Sequence, residues 1–488
     1  MKRYGNLWER ILSKENALLA IRKASTRSKR VRPEKRALIR HIKDNPDSYA
    51  DELIALLRSG KYSTPTYYIY PLYEPKLRII YTLPFFPHRI VHHMIMNVLE
   101  PIWENQMVED SYACRKGKGQ HKGGQKAMQY VCKYKYCLQC DISQFYINLD
   151  HAVLKSIIRN KIKDSHVLNL LDSVIDASST RDLNLTVLYR MKERGDKNID
   201  ITKGIKKLEY AKAVCNGAPA GVPIGNYLSQ WEGNLYMSVF DRYVKENLRC
   251  KAYIRYCDDF VLFSDSKEEL HEWRKKIITF LWDKLKLTLS KTSVFPTSRG
   301  LDYLGYRYFP KGYILLRKKT AKTLRHRLKE LAISIENSNI DPMLALSTVA
   351  SAKGWMKYAN SYNFRTSIGF DSLDYMVRKA CNKLTKEHLM RGYPKNLNTK
   401  FDYLFVKDNF PRDKWEKDFK ALLETTHDWF FVSMLATKEE GIEDDTHKIV
   451  EDTTKNTFAQ YEYRENPQCK LYTLGFTRKE VENIILGL

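Results

Sequence analysis

Two adjacent carboxylates, Asp258 and Asp259, stand between two apolar, β-rich arms in segment 253–263. This pattern predicts a tight hairpin that carries both carboxylates at its tip. Two neighbouring negative charges repel each other between buried strands, and a divalent cation relieves that repulsion. An ordinary Asp-rich β-turn is the alternative, because Asp is a common turn residue.

A third carboxylate, Asp141, ends the hydrophobic segment 136–142, which reads as a strand followed by a helix. Two carboxylates on a hairpin and one on a neighbouring strand end can together hold two Mg²⁺ ions about 3.5–4 Å apart. Mn²⁺ can substitute in such a site. A metal pair of this kind activates a 3′-hydroxyl and stabilises a leaving pyrophosphate, so the three residues predict nucleotidyl transfer.

The elements that must position these residues form an alternation of strands and helices, which predicts an α+β fold with helical ends. Segment 181–213 is polar, basic and poorly periodic, and we interpret it as an insertion. The other predicted elements are helices at 1–60, β-like sequence at 62–81, a helix at 88–104, a Gly/Lys loop at 112–124, a helix at 151–162, a helix from 226, a helix at 268–285, a second hairpin at 303–314 and helices at 318–389.

The chain is strongly basic, with 83 Lys and Arg against 57 Asp and Glu and a formal net charge of +26. Such an excess predicts a polyanionic partner, and the interleaving of basic residues with Tyr and Phe favours nucleic acid over a membrane surface. No apolar run approaches the roughly 18 residues of a membrane span, so we expect no membrane partner. Nine scattered cysteines do not form a disulfide framework, which favours a cytoplasmic location.

The order of several motifs over about residues 60–320 resembles that of reverse transcriptases. Asp141 with Phe145 and Tyr146 resembles the family's first catalytic motif, and Tyr-Cys-Asp-Asp at 256–259 resembles its Tyr-X-Asp-Asp box. Segment 221–230 resembles the motif beneath the templating base. Segments 76–78 and 111–117 resemble the fingers motifs of group II intron-like enzymes.

The resemblance implies a right-hand polymerase with fingers, palm and thumb. The implied regions are a helical basic N-terminal extension at 1–60, fingers at 61–135, a palm at 136–316 that contains the basic insertion 181–213, a helical thumb at 317–392, and a C-terminal extension at 393–488 with an acidic linker at 439–452.

The resemblance also implies roles for individual residues. Asp141, Asp258 and Asp259 would be catalytic and, with the backbone carbonyl of Ile142, would bind the two metal ions. The residues implied to hold the deoxynucleoside triphosphate are Lys76, Arg78, Gln144, Phe145, Tyr146 and Gly221. The residues implied to contact template RNA or the RNA/DNA duplex are Arg115, Lys118, Asn226, Gln230, Lys319 and Arg325.

Some of these roles have structural alternatives. Tyr146 occupies the family's steric-gate position, where a ring beneath the sugar excludes a 2′-hydroxyl, but an ordinary core aromatic is the alternative. For Arg115 and Lys118 the alternative is a solvated loop.

The function that the resemblance implies is RNA-directed DNA synthesis from dNTPs, copying a structured non-coding RNA. About 100 residues beyond the thumb are more like the unknown-group bacterial enzymes of antiphage defence, some of which are oligomeric. Pro-Ala-Gly at 219–221 replaces the usual Pro-Gln-Gly, and segment 224–230 resembles the error-prone enzymes of diversity-generating retroelements. A non-catalytic RNA-binding scaffold is the alternative of another class, and the priming mode, including priming from a tyrosine, stays open.

Overall fold

A computed structural model describes residues 3–26, 33–64, 67–73, 77–195, 199–336 and 342–390 of the chain. These residues divide into two compact units. The first runs to Leu304 and includes Tyr308–Gly312, and the second comprises Gly305–Arg307 and the described residues from Tyr313 onward. Strands and helices are mixed in the first unit, as the sequence predicts, whereas the division into fingers, palm and thumb stays a prediction.

The elements follow the predicted alternation closely. The helices are α1 Trp8–Ile11, α2 Lys14–Ser25, α3 Pro33–Asp44, α4 Pro46–Arg58, α5 Ile90–Glu104, α6 Gln120–Lys133, α7 His151–Arg159, α8 Ser165–Asp176, α9 Thr180–Glu193, α10 Ile199–Val214, α11 Tyr227–Arg242, α12 Lys267–Leu285, α13 Lys318–Glu336, α14 Pro342–Lys357, α15 Tyr362–Ser367 and α16 Phe370–Met390. The strands are β1 Tyr68–Leu72, β2 Arg78–Thr82, β3 Tyr136–Ile142, β4 Tyr253–Tyr256, β5 Asp259–Ser264, β6 Leu289–Pro296, β7 Leu301–Tyr303, β8 Tyr306–Tyr308 and β9 Ile314–Leu316. Within the described ranges, no helix has the length and apolar character that a bilayer crossing demands.

The N-terminal helices α1 to α4 bury their apolar faces, and α2 packs against the largely buried helix α5. The Ser13 side chain caps α2 by accepting a hydrogen bond from the backbone N–H of Asn16. The buried Asn16 amide in turn donates to the carbonyl oxygen of Met94 in α5 at 3.0 Å. This polar contact fixes how the N-terminal helices lie on the body of the first unit.

Strands β1 and β2 form an antiparallel hairpin in which Tyr70 lies opposite Ile80. Every residue of β1 is exposed, whereas Ile79 and Tyr81 of β2 are buried. These two side chains share a core with apolar residues of α9 and α10. The predicted insertion is therefore two ordered helices, and it packs against the hairpin.

A four-stranded antiparallel sheet in the order β4-β5-β3-β6 forms the centre of the first unit. Leu138, Cys140 and Ile142 of β3 enter the main hydrophobic core. The β3–β6 register shifts between Asp141 and Ile142, as at a β-bulge. The strand predicted at 136–142 and the hairpin predicted at 253–263 are both confirmed.

The second unit is built from α13 to α16, whose apolar faces form one cluster that includes Leu328, Val349, Phe370 and Val377. These helices confirm the helical segments predicted from residue 318 onward as far as the description reaches. The C-terminal extension predicted at 393–488, with its acidic linker, lies outside the described residues.

Candidate active site

The three predicted catalytic carboxylates meet at one end of the central sheet. Asp141 of β3 lies directly opposite Asp259 of β5 in the antiparallel register. The backbone N–H of Ile142 donates to the carbonyl oxygen of Asp258 at 3.2 Å. Because the Cβ atoms of directly opposed residues lie about 4.5–5.5 Å apart, carboxylates that are remote in sequence become neighbours here.

A two-residue turn at Cys257 and Asp258 joins β4 to β5, since Tyr256 pairs with Asp259. Cys257 adopts a left-handed backbone with φ +59°, a conformation that favours glycine and strains most other residues. Its carbonyl oxygen accepts a hydrogen bond from Arg255 at 3.0 Å, and its thiol lies 3.2 Å from the Tyr146 hydroxyl. These contacts hold the turn in a shape that its sequence alone disfavours.

The carboxylates at this turn resist ionisation in the absence of a cation. Burial, and then the negative charge of Asp141, raises the pKa of Asp259 to about 7. The same two causes raise the pKa of Asp258, and the positive charge of Arg78 opposes the rise. The cluster is therefore an electrostatic environment that favours a bound cation.

The donor set fits a divalent metal. The buried Oδ1 atom of Asp259 finds no hydrogen-bond partner among the described residues, so a carboxylate oxygen is left for a ligand. Within the same ranges no three His, Cys, Asp or Glu side chains form a ready-made cation cage. Mg²⁺ is usually held by one or two carboxylates together with substrate phosphates, so Asp141, Asp258, Asp259 and the Ile142 carbonyl suit a site that a nucleotide completes.

Asp141 has a further partner, because the Ser290 hydroxyl of β6 donates to its Oδ2 atom. The next residue, Lys291, lies opposite Asp141 in the β3–β6 register and opposes the rise in the Asp259 pKa. Its Nζ atom is 3.3 Å from the Gln139 side-chain oxygen. Strand β6 therefore supplies a hydroxyl and a positive charge beside the carboxylates.

Two of the predicted nucleotide-binding residues act on this turn, since Tyr146 contacts Cys257 and the charge of Arg78 acts on Asp258. Gln144, with left-handed φ +46°, precedes the short 3₁₀ helix Phe145–Asn148. The carbonyl oxygen of Tyr146 accepts from the backbone N–H of Val222 at 2.8 Å, which brings Tyr146 beside Gly221. Burial raises the pKa of the Tyr146 hydroxyl well above its usual value, so it stays protonated. Lys76 lies outside the described residues.

Gly221 is a position that only glycine fits. Its φ is +97°, and a Cβ atom there would lie 2.8 Å from the carbonyl oxygen of Ile147 and closer still to the Thr180 hydroxyl. The Gly221 carbonyl accepts from the buried His151 ring, whose Nε2 atom lies 2.9 Å away. The loop before α11 is thus held tightly against the segment that carries Tyr146.

Two predicted RNA-binding residues have internal partners. The Arg115 side chain is only 5% exposed and donates to Glu104 and to the carbonyl oxygens of Val108 and Ser111. Lys118 pairs with Glu109. A contact of Arg115 with RNA stays a prediction, and it would require these bonds to break.

The other predicted RNA-binding residues differ in exposure. Asn226 is buried, whereas Gln230, one turn into α11, is exposed. Lys319 and Arg325 are exposed on α13 in the second unit, and Arg325 stacks over Phe364. Their exposed positive charges are compatible with phosphate contacts, which stay a prediction.

Sequence reasoning missed the buried pair of Arg255 and Asp241, the thiol contact of Cys257 and the hydroxyl of Ser290. The one signal for the pair was an arginine inside an otherwise apolar strand arm at 253–256. A charge at such a position needs a buried partner.

The family model described as reverse transcriptase (RNA-dependent DNA polymerase) matches residues 74–308, and this range contains all the carboxylates described above. Protein YkfC of Escherichia coli K12 is 26% identical over 302 residues, which cover 54% of this chain and 70% of that protein. Nuclear intron maturase 1, mitochondrial, of Arabidopsis thaliana is 22% identical over 401 residues, covering 62% of this chain and 56% of the relative.

The group II intron-encoded protein LtrA of Lactococcus lactis subsp. cremoris is also 22% identical, over 339 residues. That match covers 61% of this chain and 56% of LtrA, so the chain spans little more than half the length of LtrA and of the maturase. The chain therefore contains a reverse transcriptase domain, the domain of RNA-directed DNA polymerases, and is homologous to group II intron-encoded proteins.

Proposed function

We propose that this chain copies a partner structured non-coding RNA into cDNA in the cytoplasm, and that this synthesis serves antiphage defence. The catalytic part of the proposal rests on one observation. Asp141 pairs with Asp259 at the end of the central sheet, next to the turn that contains Asp258. Burial of Asp258 and Asp259, whose pKa values are raised, costs stability unless a cation binds them. A scaffold that only binds RNA would gain nothing from burying these carboxylates.

The chain's own residues divide the work of catalysis. Asp141, Asp258 and Asp259 would hold two Mg²⁺ ions, which when bound activate the primer 3′-hydroxyl and stabilise the leaving pyrophosphate. Arg78 supplies positive charge beside Asp258, where a triphosphate would lie. Tyr146 would pack beneath the sugar and exclude a 2′-hydroxyl.

The template side of the proposal rests on charge. The net charge of +26 favours a long polyanion, and the exposed Lys319 and Arg325 of α13 suit contacts with a duplex backbone. Phosphate contacts do not read sequence, so selection of one RNA would come from its fold. A homo-oligomer is compatible with this proposal.

Primer extension on a primed RNA with Mg²⁺ and dNTPs tests the catalytic part. We expect wild-type extension and a loss of at least about a hundredfold when Asp258→Asn and Asp259→Asn are combined, because both changes remove metal-binding charge. Asp283→Asn, on the exposed face of α12, is the matched control and should keep wild-type activity. RNA binding without extension by the wild type would instead support the scaffold.

Sequencing the nucleic acid that copurifies with the same proteins tests the biological part. The proposal expects one enriched RNA and its cDNA with the wild type, and the RNA alone with the double variant. It also expects protection from phage only with the wild type. cDNA with errors concentrated at template adenines, without protection, would favour a diversity-generating retroelement.

A further inference from the structure

The side chain of Arg255 is fully buried in β4, in the arm that leads into the catalytic turn. It pairs with Asp241 of α11, which is also fully buried. Its Nε and Nη2 atoms donate to the two carboxylate oxygens of Asp241, each at 2.7 Å. This is a bidentate, charge-assisted pair, the strongest form that such an interaction takes.

The guanidinium has five N–H groups, and every one of them has an acceptor. Besides the two bonds to Asp241, Nη1 donates to the carbonyl oxygen of Cys257 at 3.0 Å and lies 3.3 Å from the Asn234 side-chain oxygen. Nη2 also donates to the Ser111 hydroxyl at 3.1 Å. The backbone of Arg255 is also hydrogen-bonded. Its N–H donates to the backbone carbonyl of Asp110, and its carbonyl accepts from the backbone N–H of Tyr112.

The bond to Cys257 is the one that reaches the catalytic turn. The Cys257 carbonyl belongs to the peptide group that links Cys257 to Asp258, and Cys257 has the strained φ of +59°. Because the hydrogen bond holds that oxygen, it also holds the orientation of the peptide group that immediately precedes Asp258 and Asp259. Loss of the bond would free this peptide group to rotate and would let Asp258 turn away from Asp141.

Stability alone does not explain a pair of this kind. Replacing a buried ion pair with apolar residues of similar volume is often neutral or stabilising, because desolvation of the two charges offsets their attraction. A role other than stability is offered by one of the five side-chain contacts of Arg255, the one with the Cys257 carbonyl oxygen.

We infer that the Arg255–Asp241 pair is a positioning device that holds the Cys257–Asp258 peptide so that the metal-binding carboxylates face Asp141. The inference rests on the proposed polymerase function for its catalytic consequence. Its geometric consequence, a weaker metal site when the pair is lost, does not depend on turnover. Arg255 is thus a positioning residue that acts through the turn and touches no substrate.

The test compares wild type with R255K and with the double variant R255M/D241L. Lysine keeps the charge facing Asp241 but lacks the forked donors that reach Cys257. The double variant removes both charges and leaves neither one unpaired. Y253F is the matched control, because the Tyr253 hydroxyl donates to the same Asp241 carboxylate at 2.6 Å without touching the turn.

We expect R255K and R255M/D241L to bind Mn²⁺ at least about fivefold more weakly in an electron paramagnetic resonance titration. In primer extension, their kcat should fall at least about tenfold, since small misplacement of reacting groups is costly, while KM for dNTP changes less than about twofold. Y253F should match the wild type in both assays.

Wild-type Mn²⁺ affinity and kcat in a folded R255K would overturn the inference, and so would wild-type values in R255M/D241L. If the double variant fails to fold, shown by loss of a cooperative thermal transition, R255K decides the question. A wild type that does not extend a primer contradicts the proposed function instead, and the Mn²⁺ titration still tests the positioning role.

Discussion

Single residues connect the turn that carries Asp258 to Tyr146, the residue at the predicted steric-gate position. The Cys257 thiol and the Tyr146 hydroxyl are 3.2 Å apart, and burial raises the pKa of Cys257 to about 12, so the thiol stays protonated and can share a hydrogen bond. The Tyr146 ring also packs against Phe145 and closely approaches Gly233 of α11. The ring is therefore fixed on several sides, as a selective steric element must be.

Truncation of this ring should relax the choice of sugar. We expect Tyr146→Ala to raise the ratio of ribonucleotide to deoxynucleotide incorporation at least about tenfold, because space opens for a 2′-hydroxyl. Cys257→Ala should raise the ratio by a smaller factor, since the ring loses one partner. Single-nucleotide primer extension measures both ratios, with Cys132→Ala, an exposed cysteine of α6, as the control. An unchanged ratio in Tyr146→Ala would show that this residue is only a core aromatic.

Asp259 should make the metal-free protein less stable as the pH rises. Its pKa is raised to about 7 in the folded state, so the folded protein binds its proton more tightly than the unfolded chain does. This contribution is fully present below about pH 4, the ordinary range of an Asp carboxyl, and is lost as the pH rises through about 7. Thermal unfolding in EDTA at several pH values should show the loss, and Asp259→Asn should reduce it. Mg²⁺ should restore stability above pH 7 in the wild type only.

The meeting of Asp141, Asp258 and Asp259 was predictable because apolar strand arms flank these residues, and apolar strands pair within a buried sheet. The partners of these carboxylates were not predictable in the same way. Ser290 reaches Asp141 only because β6 pairs beside β3, and Asp241 meets Arg255 only because α11 packs on β4. Nothing in the local sequence specifies those pairings.

At the scale of elements, helix α9 joins two parts of the site. The buried Asn184 side chain accepts a hydrogen bond from the Tyr81 hydroxyl of the hairpin at 2.9 Å. At the start of the same helix, the backbone N–H of Arg181 donates to the Ala220 carbonyl at 3.2 Å, and its guanidinium lies 3.4 Å from the Ala218 carbonyl. Helix α9 therefore links the β1–β2 hairpin, which carries Arg78, to the loop before α11, which contains Gly221.

Weakening the link through α9 should affect KM for dNTP more than kcat. We expect Asn184→Ala to raise KM for dNTP severalfold with less than a twofold change in kcat, because the hairpin that carries Arg78 loses an anchor. Tyr81→Phe should have a similar effect, and the two changes together should be no worse than one alone. Steady-state extension kinetics measure this, with Thr186→Ala on the exposed face of α9 as the control. Additive effects would contradict a shared bond.

The contacts of α9 could not be predicted from the sequence, for a physical reason. Arg181 and Asn184 are polar yet buried, because Arg181 lies against the Ala218 carbonyl of the loop and Asn184 accepts from the Tyr81 hydroxyl of the hairpin. Hydrophobic periodicity reports burial only where the buried side chains are apolar. The polar pattern of segment 181–213 therefore predicts an insertion without periodic structure, whereas the structure has two helices there.

For the whole molecule, motif order was the most informative feature of the sequence. The mixed helices and strands and the reverse transcriptase domain could be predicted from the sequence, because the motifs lie in family order and the strands between them are strongly apolar. The apportioning of the chain to fingers, palm and thumb depends on how distant segments pack, and it stays a prediction. The same holds for the role of residues 393–488.

The register shift between Asp141 and Ile142 has a consequence for how this domain can vary. Side chains alternate between sheet faces, so a slip of one residue along β6 would present Asp141 with a different neighbour and turn Ser290 to the opposite side. A bulge tolerates no such slip, because its extra residue fits only one alignment. Insertions and deletions should therefore fall in connecting loops and be absent from strand β6, because its spacing determines which side chains lie beside Asp141.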